Sequence, residues 1–212
     1  MLVRENFVVR DGIPYILAPF VLFIILFIFK LWLFGIPFLV IALFMAYFFR
    51  NPEREIPSSP DIVVSPADGK ITKVEKLGDE SLSPTLVSIF LSPFDVHVNR
   101  SPISGRIKSV VYTKGKFLMA TREDSSQLNE QNMLEIEGEK ITVVCKQIAG
   151  ILARRIVCWK RQGETVSIGE RFGLIKFSSR TDIILPNNVT VIVREGMRVK
   201  GGTTVIGRID NV

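Results

Sequence analysis

The chain has 212 residues, which allows one domain or one domain with an appendage, and its 47% hydrophobic content is high for a purely soluble protein. The 27 Lys and Arg against 21 Asp and Glu give a net charge of +6. These basic residues are scattered without an aromatic-studded run, which argues against a nucleic-acid partner and favours an anionic membrane surface.

The first predicted element is the apolar segment 13–49, in which Lys30 is the only charged residue. A helix that crosses the hydrocarbon needs about 20 residues, and the halves 13–29 and 31–49 each come close to that length. The segment therefore predicts a transmembrane hairpin of two short helices, with one tilted span or a re-entrant hairpin as the alternatives. The turn of the hairpin is predicted to hold Lys30, Trp32, Gly35 and Pro37.

Positive charge flanks this segment on both sides. Arg4 and Arg10 precede it, and Arg50 and Arg54 follow it. Because basic residues favour the cytoplasmic side of a membrane, residues 1–12 and the large C-terminal part are both predicted to face the cytoplasm at the cell membrane. A cleaved signal peptide fits poorly, because the apolar stretch is too long and has no evident small-residue cleavage site.

After a Pro- and Ser-bearing linker at 50–60, residues 61–212 read as strand after strand, separated by Gly, Pro and Asn turns. Apolar and polar residues alternate clearly at 140–145 and 190–193, whereas helical periodicity is weak, so the predicted fold is mainly β. The strands are predicted at 62–64, 69–76, 85–91, 105–113, 132–137, 140–147, 154–161, 172–177, 182–185, 190–194 and 204–209.

Two turn-bearing segments, 65–71 and 195–207, have the look of a barrel-sandwich half. Similar Asp-Gly and Gly-x-x-Val turns recur in lipoyl- and biotinyl-type domains and in membrane-anchored adaptor proteins. The predicted architecture is therefore a barrel-sandwich-like β domain preceded by the membrane hairpin. Such turns specify fold better than function, and a non-enzymatic membrane-anchored adaptor is one functional alternative.

The cysteines and the histidine predict no metal site. Cys145 and Cys158 each lie in an apolar strand-like run, and a cytoplasmic domain would keep them reduced, so both are interpreted as packing residues. His97 is the only histidine, and it has no second Cys or carboxylate at ligand spacing.

His97 is a candidate catalytic residue because of its neighbours in the sequence. Asp95, Asn99 and Arg100 lie close by, and an imidazole that titrates near neutrality is a natural proton shuttle. A structural hydrogen-bonding histidine is the alternative.

Two adjacent hydroxyls, Ser178 and Ser179, lie between a Gly-rich turn and an apolar strand. On these residues alone a solvated turn is the simplest interpretation, and a self-cleavage site is the alternative. The motifs elsewhere in the chain shift the balance towards cleavage.

A series of ordered sequence blocks resembles phosphatidylserine decarboxylase proenzymes, in the short form of many bacteria and of archaea. The resemblance runs from the apolar hairpin to the C-terminus. The blocks lie at 48–54, 66–69, 94–102, 129–132, 147–150, 153–156 and 169–182.

The resemblance implies a pyruvoyl enzyme, a carboxy-lyase that makes its own cofactor. The hydroxyl of Ser179 would attack the carbonyl of Ser178, and elimination of the resulting ester would cut the chain and leave a pyruvoyl group in place of Ser179. This group would take the amine of phosphatidylserine or archaetidylserine as a Schiff base and drain the electrons left by CO2, which gives the ethanolamine phospholipid.

The resemblance also implies roles for two further residues. His97 would return a proton to the carbon that lost CO2. Asp68 would orient a proton acceptor or hold the turn beside the cleavage serine, and a plain Asp-Gly turn explains it equally well.

The partners implied by the resemblance are the membrane, its phospholipid and other copies of the chain. Fragments 1–178 and 179–212 would stay associated, because the strands of the small fragment are already part of the sheet. A homodimer of processed pairs is the family expectation. Since the lipid never leaves the bilayer, the active site is expected at headgroup height.

The chain departs from the family pattern at two positions. Ser178 stands where glycine is usual before the cleavage serine, and a side chain there could slow processing. Arg100 occupies the place of a second histidine in the long bacterial form, and arginine cannot serve as a base at neutral pH. If His97 assists cleavage as well as decarboxylation, it must therefore do both.

Overall fold

The computed structural model describes residues 7–59, 61–78, 83–120, 122, 124–151, 155–177 and 179–210. The chain divides into two units, Met1–Glu53 and Arg54–Val212. In its described residues the first unit contains two α-helices and a short 3-10 helix, and the second contains the strands and one short α-helix.

The N-terminal unit contains helices α1, Ile13–Ile28, and α2, Trp32–Phe48. A proline in the first turn of α1 costs no hydrogen bond, and Lys30, with φ of 58°, reverses the chain between the helices. Together with the short 3-10 helix before α1, the stretch Arg10–Ile28 is long and apolar enough to cross a membrane by length and composition, and α2 is shorter.

The predicted turn of the hairpin was too long. Gly35 and Pro37 lie inside α2, and Trp32 is its first residue. Gly35 allows close packing of the two helices, because a Cβ there would lie 3.1 Å from a ring carbon of Phe23 in α1 and the ring would have to shift. Pro37 lies inside the helix, so its missing N–H removes one hydrogen bond of α2.

The second unit is mainly β, as predicted, with one short helix, α3, at Ser125–Leu128 in the described residues. The strands found in these residues are β1 Ile62–Val64, β2 Gly69–Lys76, β3 Thr85–Leu91, β4 Val98–Arg100, β5 Gly105–Thr113, β6 Gln131–Glu137, β7 Thr142–Ala149, β8 Arg155–Cys158, β9 Thr165–Val166, β10 Arg171–Lys176, β11 Ser179–Leu185, β12 Val189–Val191, β13 Arg198–Val199 and β14 Val205–Ile209.

These strands form three antiparallel sheets within the described ranges. The large sheet is curled and has eight strands in the order β13-β2-β3-β11-β7-β6-β5-β9. The two small sheets have the orders β4-β10-β8 and β1-β14-β12. The alternation predicted at 140–145 is confirmed in β7, where Val143 and Cys145 point into the main hydrophobic core.

Three neighbouring strands of the large sheet are connected to three neighbouring strands of a small sheet. β3, β11 and β7 are adjacent in the large sheet, and their chain neighbours β4, β10 and β8 are adjacent in the same order. The chain therefore passes from one sheet to the other at three adjacent connections, here called the sheet junction. The connections lie between Leu91 and Val98, between Lys176 and Ser179, and between Ala149 and Arg155.

Candidate active site

Ser179 begins β11 at the middle connection of the sheet junction. It pairs with Leu91 on one side and with Ala149 on the other. Its side chain is fully buried, and its Oγ has no hydrogen-bond partner among the described residues. A buried polar group left unpaired costs roughly 1–3 kcal/mol, so the hydroxyl does not serve stability. Ser178, on the other side of the predicted cleavage point, falls outside the described residues.

Phe177, just before the predicted cleavage point, has a strained backbone. Its φ of 63° lies in the left-handed region, which a bulky side chain rarely adopts. Such residues cost about 1–3 kcal/mol each and cluster at functional sites. This strain could not be predicted from the sequence, because phenylalanine carries no sequence signal for a left-handed backbone.

His97 is buried at the end of the neighbouring connection. Its Nδ1 lies 3.0 Å from the carbonyl oxygen of Asp95. With Nδ1 donating to that carbonyl, Nε2 is the ring nitrogen without a proton in the neutral imidazole. The carbonyl of His97 accepts a hydrogen bond of 3.3 Å from the N–H of Ile175 in β10, so its backbone is tied to the strand that leads to Phe177.

Asp95 anchors the loop that carries His97. Its carboxylate accepts hydrogen bonds from the N–H and the hydroxyl of Ser92, at 2.9 and 2.8 Å, and forms an ion pair with Arg198. Because the imidazole of His97 contacts the Asp95 carbonyl, these bonds also orient the ring. Arg198 lies far away in the sequence, and no local pattern pointed to it.

Asp68 lies directly before β2, at the same end of the large sheet as Ser179, with β3 between their strands. Its carboxylate accepts hydrogen bonds from Arg54 at 2.7 Å and from the N–H of Gly201 at 2.8 Å. Burial raises the pKa of Asp68, and Arg54 and the Gly201 N–H oppose that rise. These bonds tie the Asp68 turn to the loop around Gly201.

A chain of buried polar side chains connects β11 to the adjacent small sheet. Asn99 Nδ2 donates to Thr181 Oγ1 at 3.0 Å, Gln147 Nε2 donates to Asn99 Oδ1 at 2.9 Å, and Asn132 Nδ2 donates to Gln147 Oε1 at 2.9 Å. Side chains alternate along a strand, so Thr181 lies on the same face of β11 as Ser179. Asn99 stands out in the sequence beside His97, but its hydrogen-bonded partners in this chain were not predicted.

The opposite face of β11 carries a buried ion pair. Arg180 donates two hydrogen bonds to Asp182, at 2.6 and 3.0 Å, and a third to the hydroxyl of Ser88 in β3 at 2.8 Å. The bidentate contact with Asp182 fixes the geometry of the Arg180 guanidinium, and its hydrogen bond to Ser88 holds the beginning of β11 against β3.

The remaining candidate residues, Arg100 and the two cysteines, have surroundings typical of residues that stabilise the fold. Arg100 is buried and donates to the carbonyl of Gly169 at 3.0 Å. Cys145 and Cys158 are free thiols, and burial raises the pKa of both. Among the described residues, no group of three or more His, Cys, Asp and Glu side chains could hold a metal ion.

Comparison with known proteins shows similarity over nearly the whole chain. The family model of phosphatidylserine decarboxylase matches residues 41–207. A phosphatidylserine decarboxylase proenzyme of Solibacter usitatus is 52% identical, over 83% of this chain and 84% of that protein. Proteins of the same name from Chlorobium chlorochromatii and Syntrophus aciditrophicus are 45% and 42% identical, over 95% and 96% of this chain and 95% and 98% of theirs.

The range matched by the family model includes Ser179, His97 and Asp68. The matches confirm the interpretation as an enzyme over the adaptor alternative. The chain belongs to the phosphatidylserine decarboxylase family of carboxy-lyases, as the resemblance of its sequence blocks implied.

Proposed function

We propose that the chain is a pyruvoyl-dependent decarboxylase that converts a serine phospholipid, phosphatidylserine or archaetidylserine, into the ethanolamine phospholipid. It would first cut itself between Ser178 and Ser179. The observation that carries this proposal is the buried hydroxyl of Ser179, which has no hydrogen-bond partner among the described residues and follows the strained Phe177. A hydroxyl held in this way fits a reactive group better than a packing residue.

The cleavage balances without a co-reactant other than water. Ser179 Oγ attacks the carbonyl carbon of Ser178, and the peptide bond becomes an ester while the nitrogen of Ser179 takes a proton. Loss of the Cα proton of Ser179 then breaks the bond from Cβ to the ester oxygen. The dehydroalanine that remains takes up water and releases ammonia, which leaves a ketone at the new N-terminus.

The contacts of β11 support continued association of fragments 1–178 and 179–212. In the large sheet β11 lies between β3 and β7, both from the large fragment. Two other strands of the small fragment also pair with the large one, β13 with β2 and β14 with β1. The small fragment is thus held on several sides without a covalent link.

The residues around Ser179 fit the chemistry that a pyruvoyl group supplies, which is an electron sink for the pair released with CO2. His97 Nε2 would hold the proton that returns to the substrate carbon. The hydrogen bond from Nδ1 to the Asp95 carbonyl persists in both charge states, so the ring keeps its orientation as Nε2 gains or loses the proton. Asp68 would hold the turn beside the site through Arg54 and Gly201.

For the membrane we propose a two-span hairpin at 13–49, with segment 1–12, linker 50–60 and the catalytic domain 61–212 on the cytoplasmic side. The apolar stretch Arg10–Ile28 and the helix Trp32–Phe48 support this proposal. The curled large sheet is compatible with a barrel-sandwich-like domain. We also propose that the processed pairs form a homodimer.

The proposal predicts that Ser179→Ala abolishes both the chain cut and the release of CO2 from phosphatidylserine in detergent micelles. Ser58→Ala, an exposed serine of the linker, is the matched control and should change neither. Release of labelled CO2 from the serine carboxyl measures the activity. CO2 release by Ser179→Ala would contradict the mechanism.

A further inference from the structure

The loops at the Ser179 end of the large sheet expose large apolar side chains. Phe94 is 67% exposed, Ile151 57% and Met119 56%. They lie on three different connections, after β3, after β7 and between β5 and β6. Single exposed apolar residues are common, but several on neighbouring loops mark a contact surface.

The strand pairing places all three connections at this end. β3 ends at Leu91 and β7 ends at Ala149, and both of these residues pair with Ser179. The segment with Met119 is fastened to the same end by Asn129, whose amide donates to the carbonyl of Ala149 at 2.7 Å and to that of Leu118 at 2.9 Å.

The opposite end of the large sheet differs. At that end, Ile141 in the turn from β6 to β7 is only 6% exposed. Leu77, which follows β2 at the same end, is 41% exposed. The most exposed apolar side chains of the large sheet's described connections therefore lie on the side of the predicted cleavage point.

Basic residues accompany the apolar ones. Lys114 and Lys116 are exposed in the same segment as Met119, and Arg155 is exposed where the chain enters β8 after Ile151. An apolar surface bordered by cations matches the boundary between headgroups and acyl chains of an anionic bilayer.

We propose that these loops form a membrane-contact rim, defined by Phe94, Met119 and Ile151, that inserts into an anionic lipid bilayer. The rim presents the Ser179 end of the catalytic unit to the lipid phase. This inference rests on the proposed function, because a phospholipid substrate must reach Ser179 from the bilayer. A second copy of the chain is the other partner that could cover the rim, and the experiment separates the two.

The test uses the full chain reconstituted in vesicles of phosphatidylcholine with phosphatidylglycerol. Both native cysteines are replaced by alanine, and a fluorescent label is attached at Phe94→Cys, Met119→Cys, Ile151→Cys or the control Leu77→Cys. Interfacial side chains lie about 5–10 Å into the headgroup boundary, so lipid-attached nitroxides should quench the three rim labels at least about threefold more than the control.

Quenching of all four labels mainly by aqueous iodide would overturn the proposal. Protection of the rim labels from both quenchers would also overturn it, in favour of a contact with a second copy. These outcomes do not depend on catalysis. If the wild-type chain released no CO2 from soluble short-chain phosphatidylserine, the proposed function would fail. The quenching pattern would still show whether the rim inserts into the bilayer.

A second measurement compares turnover of vesicle-borne and soluble short-chain phosphatidylserine. Met119→Gln removes one inserted apolar side chain, so it should lower the ratio of the vesicle rate to the soluble-substrate rate about fivefold. Leu77→Gln should leave both rates unchanged. An unchanged ratio in Met119→Gln would contradict a role of the rim in substrate delivery.

Discussion

Replacing Phe177 by glycine should slow self-cleavage, because the left-handed backbone of this residue is strained in the uncut chain. Its φ is 63°, and this conformation costs an ordinary residue about 1–2 kcal/mol, whereas glycine adopts it freely. Breaking the chain after Ser178 frees the backbone of Phe177. Part of this strain is therefore expected to be released as the cleavage transition state forms.

The matched control is Phe177→Ala, which removes the same aromatic ring but keeps the strain. Since about 1.4 kcal/mol corresponds to a tenfold change in rate, release of the full strain would make Phe177→Gly cleave about 5 to 30 times more slowly than Phe177→Ala, and partial release gives a smaller factor. Phe177→Asn should fall between them, because asparagine tolerates the left-handed region better than alanine.

The assay follows the appearance of the small fragment with time after cell-free synthesis in the presence of detergent. Comparing the two variants cancels the loss of the phenylalanine side chain. Equal rates for Phe177→Gly and Phe177→Ala, or a faster glycine variant, would refute the argument that backbone strain assists the cut.

Two further predictions concern the surroundings of the site. Asn99→Leu leaves Thr181 and Gln147 without their buried hydrogen-bond partner, so the free energy of unfolding in urea should fall by about 2–5 kcal/mol. An unchanged free energy of unfolding would contradict a stabilising role of these buried hydrogen bonds. Arg54→Gln should raise the pKa of Asp68 further, and the loss of melting temperature of this variant against wild type should grow as the pH rises above the usual 3.8 and level off once Asp68 is ionised. A loss of melting temperature that does not change with pH would contradict a stabilising ion pair between Arg54 and Asp68.

The sign of the Asp68 effect follows from its ionisation. Burial raises its folded-state pKa above the usual 3.8, so ionising Asp68 lowers stability as the pH rises from that value through the folded pKa. Arg54 offsets part of this loss, but only when Asp68 is charged. The contribution of Arg54 is therefore small in acid and full above the folded pKa.

The strands with clear alternation could be predicted from the sequence, whereas three of the short ones could not. Val143 and Cys145 alternate with polar residues, which by itself predicts a half-buried strand. β4, β9 and β13 have only two or three residues each, and they exist because distant strands pair with them. No local pattern encodes such pairings.

The residues of the candidate site also differ in whether the sequence could predict them. Ser179 and His97 could be selected from residue types and from the resemblance to a known family. The strain at Phe177 could not, because phenylalanine is not a residue that favours positive φ. The chain from Thr181 to Asn132 was missed because its members lie on four different strands, which only the fold brings together.

Mass spectrometry of the purified full chain, after synthesis in cells and without protease, tests self-processing most directly. The account predicts a small fragment of 34 residues (212 − 178) that begins with a ketone in place of Ser179. This fragment would be lighter than the unmodified peptide by one ammonia and would react with a hydrazine probe. An intact chain, or a fragment that begins with an unmodified serine, would contradict the central claim.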